Sequence, residues 1–361
     1  MKGYKLILHI GMHKTGSSSI QQSLAKNFSN PTDKIVYFNF NGIINHSCIV
    51  YPLFLDNPYQ YKDFILLNFS FTERELYLNN LKRIFMQTIT YYKRPISIIS
   101  GEDISLLSIR GLQRLKEVLL QHFEKIIVVG YVREPVSYIS SIFQECVRGI
   151  GYKEFNLEKC YPFYRERFEK FDKVFGKENV YLYKFDSKKD IVIDFCQKFS
   201  IPFSTKNSLR VNESFSKEAV QIMFIYNRTL PDLVLPIKIG EKLINFLCGW
   251  ISSKNAIKKT LAIRSIIENI GSSKFKIHKN LIQKIIEKYI DDIKWIEERI
   301  GETLLNEATN FQEDLIKSEE DLLNLSSETL EEFKNRIFEI FGKSNNERIA
   351  NILKLFYQIV N

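Results

Sequence analysis

The sequence predicts a three-layer α/β fold, in which helices flank a parallel sheet and a helical C-terminal region follows. Short apolar runs with the length and composition of buried parallel strands alternate with helical segments over about the first 215 residues. Beyond them the chain becomes mostly helical. With 361 residues, of which 45% are hydrophobic and 26% charged, the chain is long enough to bury a substantial core.

The first strand and the loop after it predict an anion-binding site. Leu6 to Ile10 form an apolar run, Gly11 to Ser19 are expected to form a loop, and a helix is expected to open at Ile20. Backbone N–H groups converge at the start of such a helix. Gly16 allows a phosphate to approach the chain closely, and Lys14 adds a positive charge. The segment therefore predicts a phosphate-binding loop.

The order of residues in this loop differs from that of nucleoside triphosphate loops, which read GxxxxGK[ST], because Lys14 precedes Gly16. The segment HIGMHKTGSSSIQ, His9 to Gln21, resembles the 5′-phosphosulfate loop of sulfotransferases that use 3′-phosphoadenosine 5′-phosphosulfate, with serines where that family usually has threonines. A strand and turn with an incidental lysine is the structural alternative. The resemblance implies a P-loop-like fold and a 5′-phosphate held by Lys14, Thr15, Gly16, Ser17 and Ser18.

A second strand and a long segment without regular periodicity come next. Lys34 to Phe40 has the β-branched and aromatic content of a strand. Asn41 to Phe71 is expected to be irregular, and is either a functional lid or an aromatic packing insert. Thr72 to Arg94 predicts a helix that Thr72 caps, with Glu75 completing a capping box.

The third strand is expected over Pro95 to Ser100, and two carboxylates follow it. In an open parallel sheet, ligands bind outside the carboxyl ends of the strands. Glu102 and Asp103 are therefore expected at the edge of the sheet where chemistry occurs. A helix over 104–124 is expected to lead to the next strand.

The fourth strand, Lys125 to Val132, delivers a second motif. Pro135 is well suited to the first turn of a helix, and an arginine at a strand end can bind a phosphate in a bidentate manner. Arg133 and Ser141 have the spacing of the 3′-phosphate motif of the same sulfotransferase family. A surface arginine before a proline-started helix is the alternative, but the buried strand before Arg133 favours the phosphate site.

The rest of the chain contains further α/β elements and then helices. We expect a helix over Phe163 to Phe175, a strand over Asn179 to Phe185 and a helix over Lys189 to Phe199. Arg210 to Ser214 resembles an N-x-S segment of bacterial members of the family, but the match is weak and a helix cap at Ser214 or Ser216 is the favoured role.

The C-terminal part shows helical periodicity. The apolar stripe in Leu281 to Leu305 is explained by packing, and Ser326 and Ser327 are expected helix caps within Leu315 to Asn361. No repeat or linker marks a boundary. We expect a sulfotransferase core with the cofactor site over 1–215, and a helical region over 216–361 that completes or covers the core or mediates self-association.

The resemblance implies transfer of a sulfuryl group from 3′-phosphoadenosine 5′-phosphosulfate to a hydroxyl, which leaves adenosine 3′,5′-bisphosphate. Lys14 would stabilise the charge that develops on the leaving phosphate. Glu102 is the predicted base for the acceptor proton, with His13 and His46 as alternatives; as a structural role, Glu102 could cap the next helix. No metal ion is required, because lysine, arginine and amide dipoles neutralise the cofactor.

The composition limits which classes of ligand and which cellular location we expect for the protein. The 51 basic against 42 acidic residues favour an anionic ligand, and the absence of an arginine-rich block argues against nucleic acid. The apolar runs are too short for a signal peptide or a membrane span, so we expect a cytoplasmic enzyme. The resemblance to sulfotransferases implies a hydroxyl acceptor, and we expect a bacterial surface carbohydrate. Five cysteines without CxxC spacing predict reduced thiols rather than a zinc site, namely Cys48, Cys146, Cys160, Cys196 and Cys248.

Two other classes of function remain open at the level of sequence. One is a P-loop nucleotide or small-molecule kinase that uses ATP, with Glu102 or Asp103 binding magnesium. The other is a non-catalytic nucleotide-binding protein whose helical end recruits a partner. The position of Lys14 before Gly16 and the spacing of Arg133 to Ser141 favour the sulfotransferase.

Overall fold

Five parallel strands form the central sheet, in the order β2-β3-β1-β4-β5. The computed structural model describes residues 3–31, 34–61, 64, 69–149, 151–211, 215–229, 266–267, 269–305 and 315–341. The strands are β1 (Lys5–His9), β2 (Ile35–Tyr37), β3 (Ile96–Ser100), β4 (Lys125–Val132) and β5 (Val180–Lys184). The predicted α/β fold with a parallel sheet flanked by helices is confirmed.

The register of β1 places its end between the two neighbouring strands. Its last residue, His9, pairs with Ser100 at the end of β3 on one side and with Val129 of β4 on the other. The chain after β1 therefore emerges between the ends of β3 and β4, at the point where the strand order reverses. In open α/β sheets this crevice is where ligands bind.

Helices cover both faces of the sheet. The described helices are α1 (Ser17–Phe28), α2 (Ser47–Phe54), α3 (Phe71–Tyr91), α4 (Ile109–Leu120), α5 (Pro135–Gly149), α6 (Tyr164–Phe175), α7 (Ile191–Lys198), α8 (Lys217–Thr229), α9 (Lys279–Lys288), α10 (Ile290–Ile300), α11 (Glu319–Leu323) and α12 (Ser327–Phe341). Ile7 of β1 belongs to the hydrophobic cluster formed with α1 and α7, whereas Leu6 and Leu8 belong to the cluster on the other face. This alternation is the period-2 pattern of a strand that is buried on both faces.

Three sequence predictions about the first hundred residues are wrong in detail. The helix α1 begins at Ser17 rather than at Ile20, so the loop before it is shorter than expected. The segment 41–71 is not irregular throughout, because its apolar run 47–54 forms α2 and Pro58–Gln60 forms a 3₁₀ turn. The cap of α3 is Ser70, which forms a capping box with Glu73, and not Thr72.

Other boundaries differ because side chains interrupt the expected helices. The predicted helix over 104–124 divides into a 3₁₀ helix, Glu102–Leu106, and α4, since the side chain of Ser108 caps the latter. The stripe over 281–305 divides at Tyr289 into α9 and α10, but its role in packing is confirmed, because Ile293 and Ile296 are fully buried.

The described C-terminal helices join the core on one face of the sheet. Residues of α8, α9 and α10 belong to the same hydrophobic cluster as Leu6 and Leu8. Ser216 and Ser326 each accept a hydrogen bond from the backbone three residues later, so both act as the expected helix caps. The predictions on Ser214, Leu243 to Ile251 and the residues after 341 lie outside the described residues.

Candidate active site

The loop between β1 and α1 is held in a tight conformation by its own residues. Gly11, Lys14 and Gly16 adopt left-handed backbone conformations, with φ values of 45°, 63° and 80°. Thr15 Oγ1 donates a 2.6 Å hydrogen bond to the carbonyl of Met12 and closes the loop on itself. These contacts within the loop fix its backbone conformation.

Five consecutive backbone N–H groups of this loop, those of residues 14–18, have no acceptor within the described parts of the chain. They precede the first hydrogen bonds of α1, in which Ser19 and Ile20 donate to the carbonyl of Gly16. Ser17 Oγ is also buried without a partner among those residues. Unpaired donors at the start of a helix form a concave site for an anion.

The two glycines of the loop are required by close contacts as well as by their backbone angles. A Cβ atom at Gly11 would lie 2.6 Å from Ser17 Oγ, and one at Gly16 would lie 2.8 Å from Ile191 Cγ2. Side chains at these positions would displace either the hydroxyl that faces the loop or the first residue of α7.

Arg133 connects the loop to the second motif. Its Nη1 donates to the carbonyl of Lys14 at 2.7 Å and to Ser141 Oγ at 3.1 Å, while its Nε donates to Ser137 Oγ at 2.9 Å. Burial lowers the pKa of Arg133 below its ordinary value, although the nearby Glu134 partly opposes this shift. The structure thus brings Arg133 into direct contact with Ser141 and with Lys14, although Lys14 lies more than a hundred residues before it along the chain.

The ammonium of Lys14 contacts a carboxylate that sequence reasoning did not identify. Lys14 Nζ lies 3.2 Å from Glu145 Oε2, and Glu145 Oε1 accepts a hydrogen bond from Arg148 at 2.8 Å. Burial acts to raise the pKa of Glu145, but the positive charges of Lys14 and Arg148 together outweigh this effect and hold the pKa below its ordinary value. The available signal was spacing, because Glu145 lies four residues after Ser141 on the same face of α5.

Glu102 lies at the end of β3, as predicted, within a network of amides. Its Oε2 accepts a 3.0 Å hydrogen bond from Gln21 and its Oε1 a 3.2 Å hydrogen bond from Asn45. These contacts connect the end of β3 to α1 and to the segment before α2. Sequence reasoning missed both amides, which only the tertiary structure places beside the carboxylate.

His13 forms a pair with the second predicted carboxylate. Its Nε2 lies 2.9 Å from Asp103 Oδ1, and both side chains are partly exposed. The backbone N–H of Asp103 donates to Ser47 Oγ at the start of α2. An imidazole that a carboxylate orients in this way can accept a proton through its other nitrogen.

His46 is a structural residue, so its expected role as a reserve base is wrong. It is fully buried, its Nε2 lies 2.9 Å from the carbonyl of Phe38, and its Nδ1 accepts a hydrogen bond from the backbone of Ser100. Both ring nitrogens are occupied, and burial lowers its pKa to about 3. His9, whose Nδ1 lies 2.7 Å from Ser100 Oγ, is likewise held neutral with a pKa of about 3.

A basic cavity of about 1310 Å³ lies beside the loop. Arg133, Ser137 and Ser141 line it, and Ile191, which touches Gly16, lines it as well. Lys14 and Glu102 are not part of its wall. Among the described residues that line it, nine are lysine or arginine and four are acidic, and most of the lysines come from 184–198 and 274–279. The cavity can therefore hold an anionic molecule in contact with Arg133 and Ser141.

Several other features follow from the described residues alone. They contain no group of three or more His, Cys, Asp or Glu side chains arranged to hold a metal ion. Within the same residues, no helix is both long and apolar enough to cross a bilayer. Cys48, Cys146, Cys160 and Cys196 form no disulfide, whereas Cys248 lies outside the described residues.

No protein-family model and no curated protein matches this chain. The solved structures that are similar to it include two sulfotransferases. One is a sulfotransferase from Alicyclobacillus acidocaldarius, with 13% identity and a TM-score of 0.37 over 70% of this chain and 94% of that chain. The other is the sulfotransferase domain from the curacin biosynthetic pathway, with 14% identity and a TM-score of 0.32 over 73% of this chain and 97% of that chain. At these scores neither likeness carries an inference about what this chain binds or catalyses.

Proposed function

We propose that this protein is a sulfotransferase that moves a sulfuryl group from 3′-phosphoadenosine 5′-phosphosulfate to a hydroxyl acceptor. The observation that carries the proposal is the contact of Arg133 with both Lys14 and Ser141. Two anion-binding elements from different strand ends thereby meet at one site. A nucleotide with phosphate groups at both its 5′ and 3′ positions matches two such elements.

The loop would bind the 5′ end of the donor. The N–H groups of Lys14, Thr15, Gly16, Ser17 and Ser18 would supply the donors, since they lie at and before the start of α1. The ammonium of Lys14 would approach the oxygen that bridges phosphorus and sulfur. Because negative charge grows on this oxygen during transfer, its contact with Lys14 strengthens in the transition state.

The second motif would bind the 3′-phosphate. Arg133 and Ser141 line the basic cavity and already contact each other. A guanidinium offers a planar fork of N–H groups that fits two phosphate oxygens, and the hydroxyl of Ser141 adds a third donor. The remaining basic residues of the cavity favour the negatively charged nucleotide as a whole.

Glu102 is the proposed base, and His13 is the alternative that the contact with Asp103 supports. The acceptor oxygen attacks sulfur, the S–O bond to the phosphate breaks, and the bond's electron pair stays on the phosphate. The acceptor proton passes to the base. The proposed acceptor is a hydroxyl of a bacterial surface carbohydrate, and the proposed location is the cytoplasm.

A kinase is the second candidate, and two features disfavour it. Lys14 precedes Gly16, unlike the lysine of a triphosphate loop. Glu102 and Asp103, the carboxylates that such an enzyme would use for magnesium, accept hydrogen bonds from Gln21, Asn45 and His13 instead.

Nucleotide binding separates the two functions. We expect adenosine 3′,5′-bisphosphate in the presence of EDTA to raise the melting temperature of the protein, which differential scanning fluorimetry measures. The proposal would be contradicted if ATP with magnesium raised the melting temperature and the bisphosphate did not. Transfer from labelled donor to a panel of sugars, phenols and peptides then identifies the acceptor.

Arg133→Ala tests the site itself. Because it removes a charge-assisted contact worth about 1.5–3 kcal/mol, we expect bisphosphate affinity to fall roughly 10- to 150-fold in calorimetric titrations. Arg83→Ala is the matched control, since Arg83 is exposed on α3 and contacts Asn80 and Gln87 of its own helix. Unchanged affinity in Arg133→Ala, with a native circular dichroism spectrum, would remove Arg133 from the site.

A further inference from the structure

Glu145 is placed to compete with a bound anion for Lys14. Lys14 is held at both ends: its carbonyl accepts a hydrogen bond from Arg133, and its ammonium contacts Glu145 Oε2 at 3.2 Å. Both partners come from α5 or the residue pair before it. A ligand that needs the ammonium must therefore draw it away from a carboxylate that already binds it.

The carboxylate itself is fixed in position. Arg148 donates to Glu145 Oε1 at 2.8 Å, and the guanidinium of Arg148 is almost fully buried and lies 5.5 Å from the centre of the Phe215 ring. Glu145 is thus hydrogen-bonded to a nearly buried arginine one turn further along α5. Such an arrangement keeps one carboxylate oxygen for Arg148 and leaves the other for Lys14.

We propose that Glu145 is a positioning residue that holds the Lys14 ammonium, and we call the Lys14–Glu145 contact the latch. When an anionic nucleotide binds, its 5′ end replaces the Glu145 carboxylate as the partner of Lys14. This inference rests on the proposed function for the nature of the ligand, but the latch itself is a property of the protein. Arg148 keeps Glu145 in place when Lys14 turns toward the ligand, so that no carboxylate follows the lysine into the site.

The latch is weak enough to exchange. The Glu145 side chain is 37% exposed and that of Lys14 is 19% exposed, so solvent screens the pair. A phosphate held by five N–H groups offers Lys14 a multiply charged partner in a site with a higher density of donors. Removing the latch should therefore favour the ligand by a small factor, about two- to fivefold, and leave the fold intact.

Chemical labelling tests the latch without any nucleotide. We expect Glu145→Gln to speed the acylation of Lys14 by trace acetic anhydride about two- to fivefold, because the amine is held less firmly. Peptide mass spectrometry of the full chain measures the rate, with the exposed Lys26 as internal reference. Glu154→Gln is the control, since Glu154 pairs with Lys159 at an exposed site. Equal Lys14 rates in Glu145→Gln and the wild type would overturn the latch.

Bisphosphate titration tests the displacement. We expect Glu145→Gln to bind adenosine 3′,5′-bisphosphate about two- to fivefold more tightly than the wild type, and the same substitution to have no effect in a Lys14→Ala background. A gain that persists without Lys14 would overturn the proposal, because Glu145 would then act through general charge. If the wild type binds no bisphosphate, the proposed function fails, and the labelling result alone decides the latch.

Discussion

Lys14 shows how much a single residue of the site depends on its surroundings. A lysine with φ of 63° pays a steric cost of about 1–2 kcal/mol, which the chain offsets through the contacts of Thr15 with Met12 and of Arg133 with the Lys14 carbonyl. The residue type and its place before Gly16 are visible in the sequence. Its left-handed conformation and its contact with Glu145 are not, because the first depends on hydrogen bonds within the loop and from Arg133, and the second depends on α5.

The identity of the base can be decided by substitution. If Glu102 is the base, we expect Glu102→Gln to abolish transfer and to spare bisphosphate binding, and His13→Asn to keep most of the activity. The reverse pattern would identify His13 as the base. Measuring kcat for transfer and the bisphosphate affinity of both variants distinguishes the two residues.

Two buried histidines should make the protein sensitive to mild acid. The folded pKa values of His9 and His46 are about 3, against about 6.5 in the unfolded chain, so unfolding takes up protons below pH 6.5. Their contribution to stability is present above that pH and is lost as the pH falls. Between pH 7 and 5 we expect each to remove about 2 kcal/mol from the free energy of unfolding, as urea titrations measure.

The histidine assignment has its own check. His9→Asn retains a polar group toward Ser100 but does not titrate in this range. The variant should therefore lose only about half as much of the stability that the wild type loses to these histidines between pH 7 and 5. The same decrease in the variant as in the wild type would show that other groups dominate.

At the scale of an element, α3 is capped by Ser70 and not by Thr72, which the sequence made an equally plausible cap. Ser70 Oγ accepts a 3.3 Å hydrogen bond from the backbone of Glu73, and the Glu73 carboxylate accepts one from the backbone of Ser70 at 2.8 Å. The sequence offers two such pairs, because Thr72 and Glu75 have the same spacing. Position along the chain alone cannot choose between them.

Alanine substitution at the two candidate caps should change the free energy of unfolding by different amounts. We expect Ser70→Ala to lower the free energy of unfolding by about 1 kcal/mol, because the backbone N–H of Glu73 loses its acceptor and the Glu73 carboxylate loses the hydroxyl of Ser70. Thr72→Ala should be close to neutral, since Thr72 is exposed in the first turn and alanine is a better helix former. Urea unfolding followed by circular dichroism measures both; a larger loss in Thr72→Ala would contradict the observed cap.

At the scale of the whole molecule, α10 is fastened to the sheet by a nearly buried ion pair. Arg299 donates to both carboxylate oxygens of Asp172 on α6 at 2.7 Å and to the carbonyl of Val180 in β5 at 2.9 Å. The side chains of Arg299 and Asp172 are only 12% and 16% exposed. This contact joins the predicted helical region, 216–361, to the predicted core, 1–215.

Removing the arginine tests whether the two parts unfold together. Because Arg299→Gln leaves a largely buried carboxylate without its partner, we expect a loss of about 3 kcal/mol in a single unfolding transition. Arg83→Gln, at an exposed position on α3, should change stability by less than about 0.5 kcal/mol. Two separate transitions in calorimetry, with only one affected by Arg299→Gln, would instead indicate independently folding parts.

The sequence by itself determined the local features of this protein. Apolar runs specify strands, as in the exact span of β4, Lys125–Val132, because a strand buried on both faces tolerates few polar residues. The loop from Gly11 to Gly16 and the pair of Arg133 and Ser141 are likewise readable, since their chemistry lies in residue types at short spacing.

Only the tertiary structure decided which distant residues meet. The strand order places the end of β1 between β3 and β4, and this alone brings Glu102 to Gln21, Asp103 to His13 and Glu145 to Lys14. It also buried His46, which the sequence left as a possible base. The physical reason is that such contacts depend on packing and burial across the whole sheet, and no short stretch of sequence carries this information.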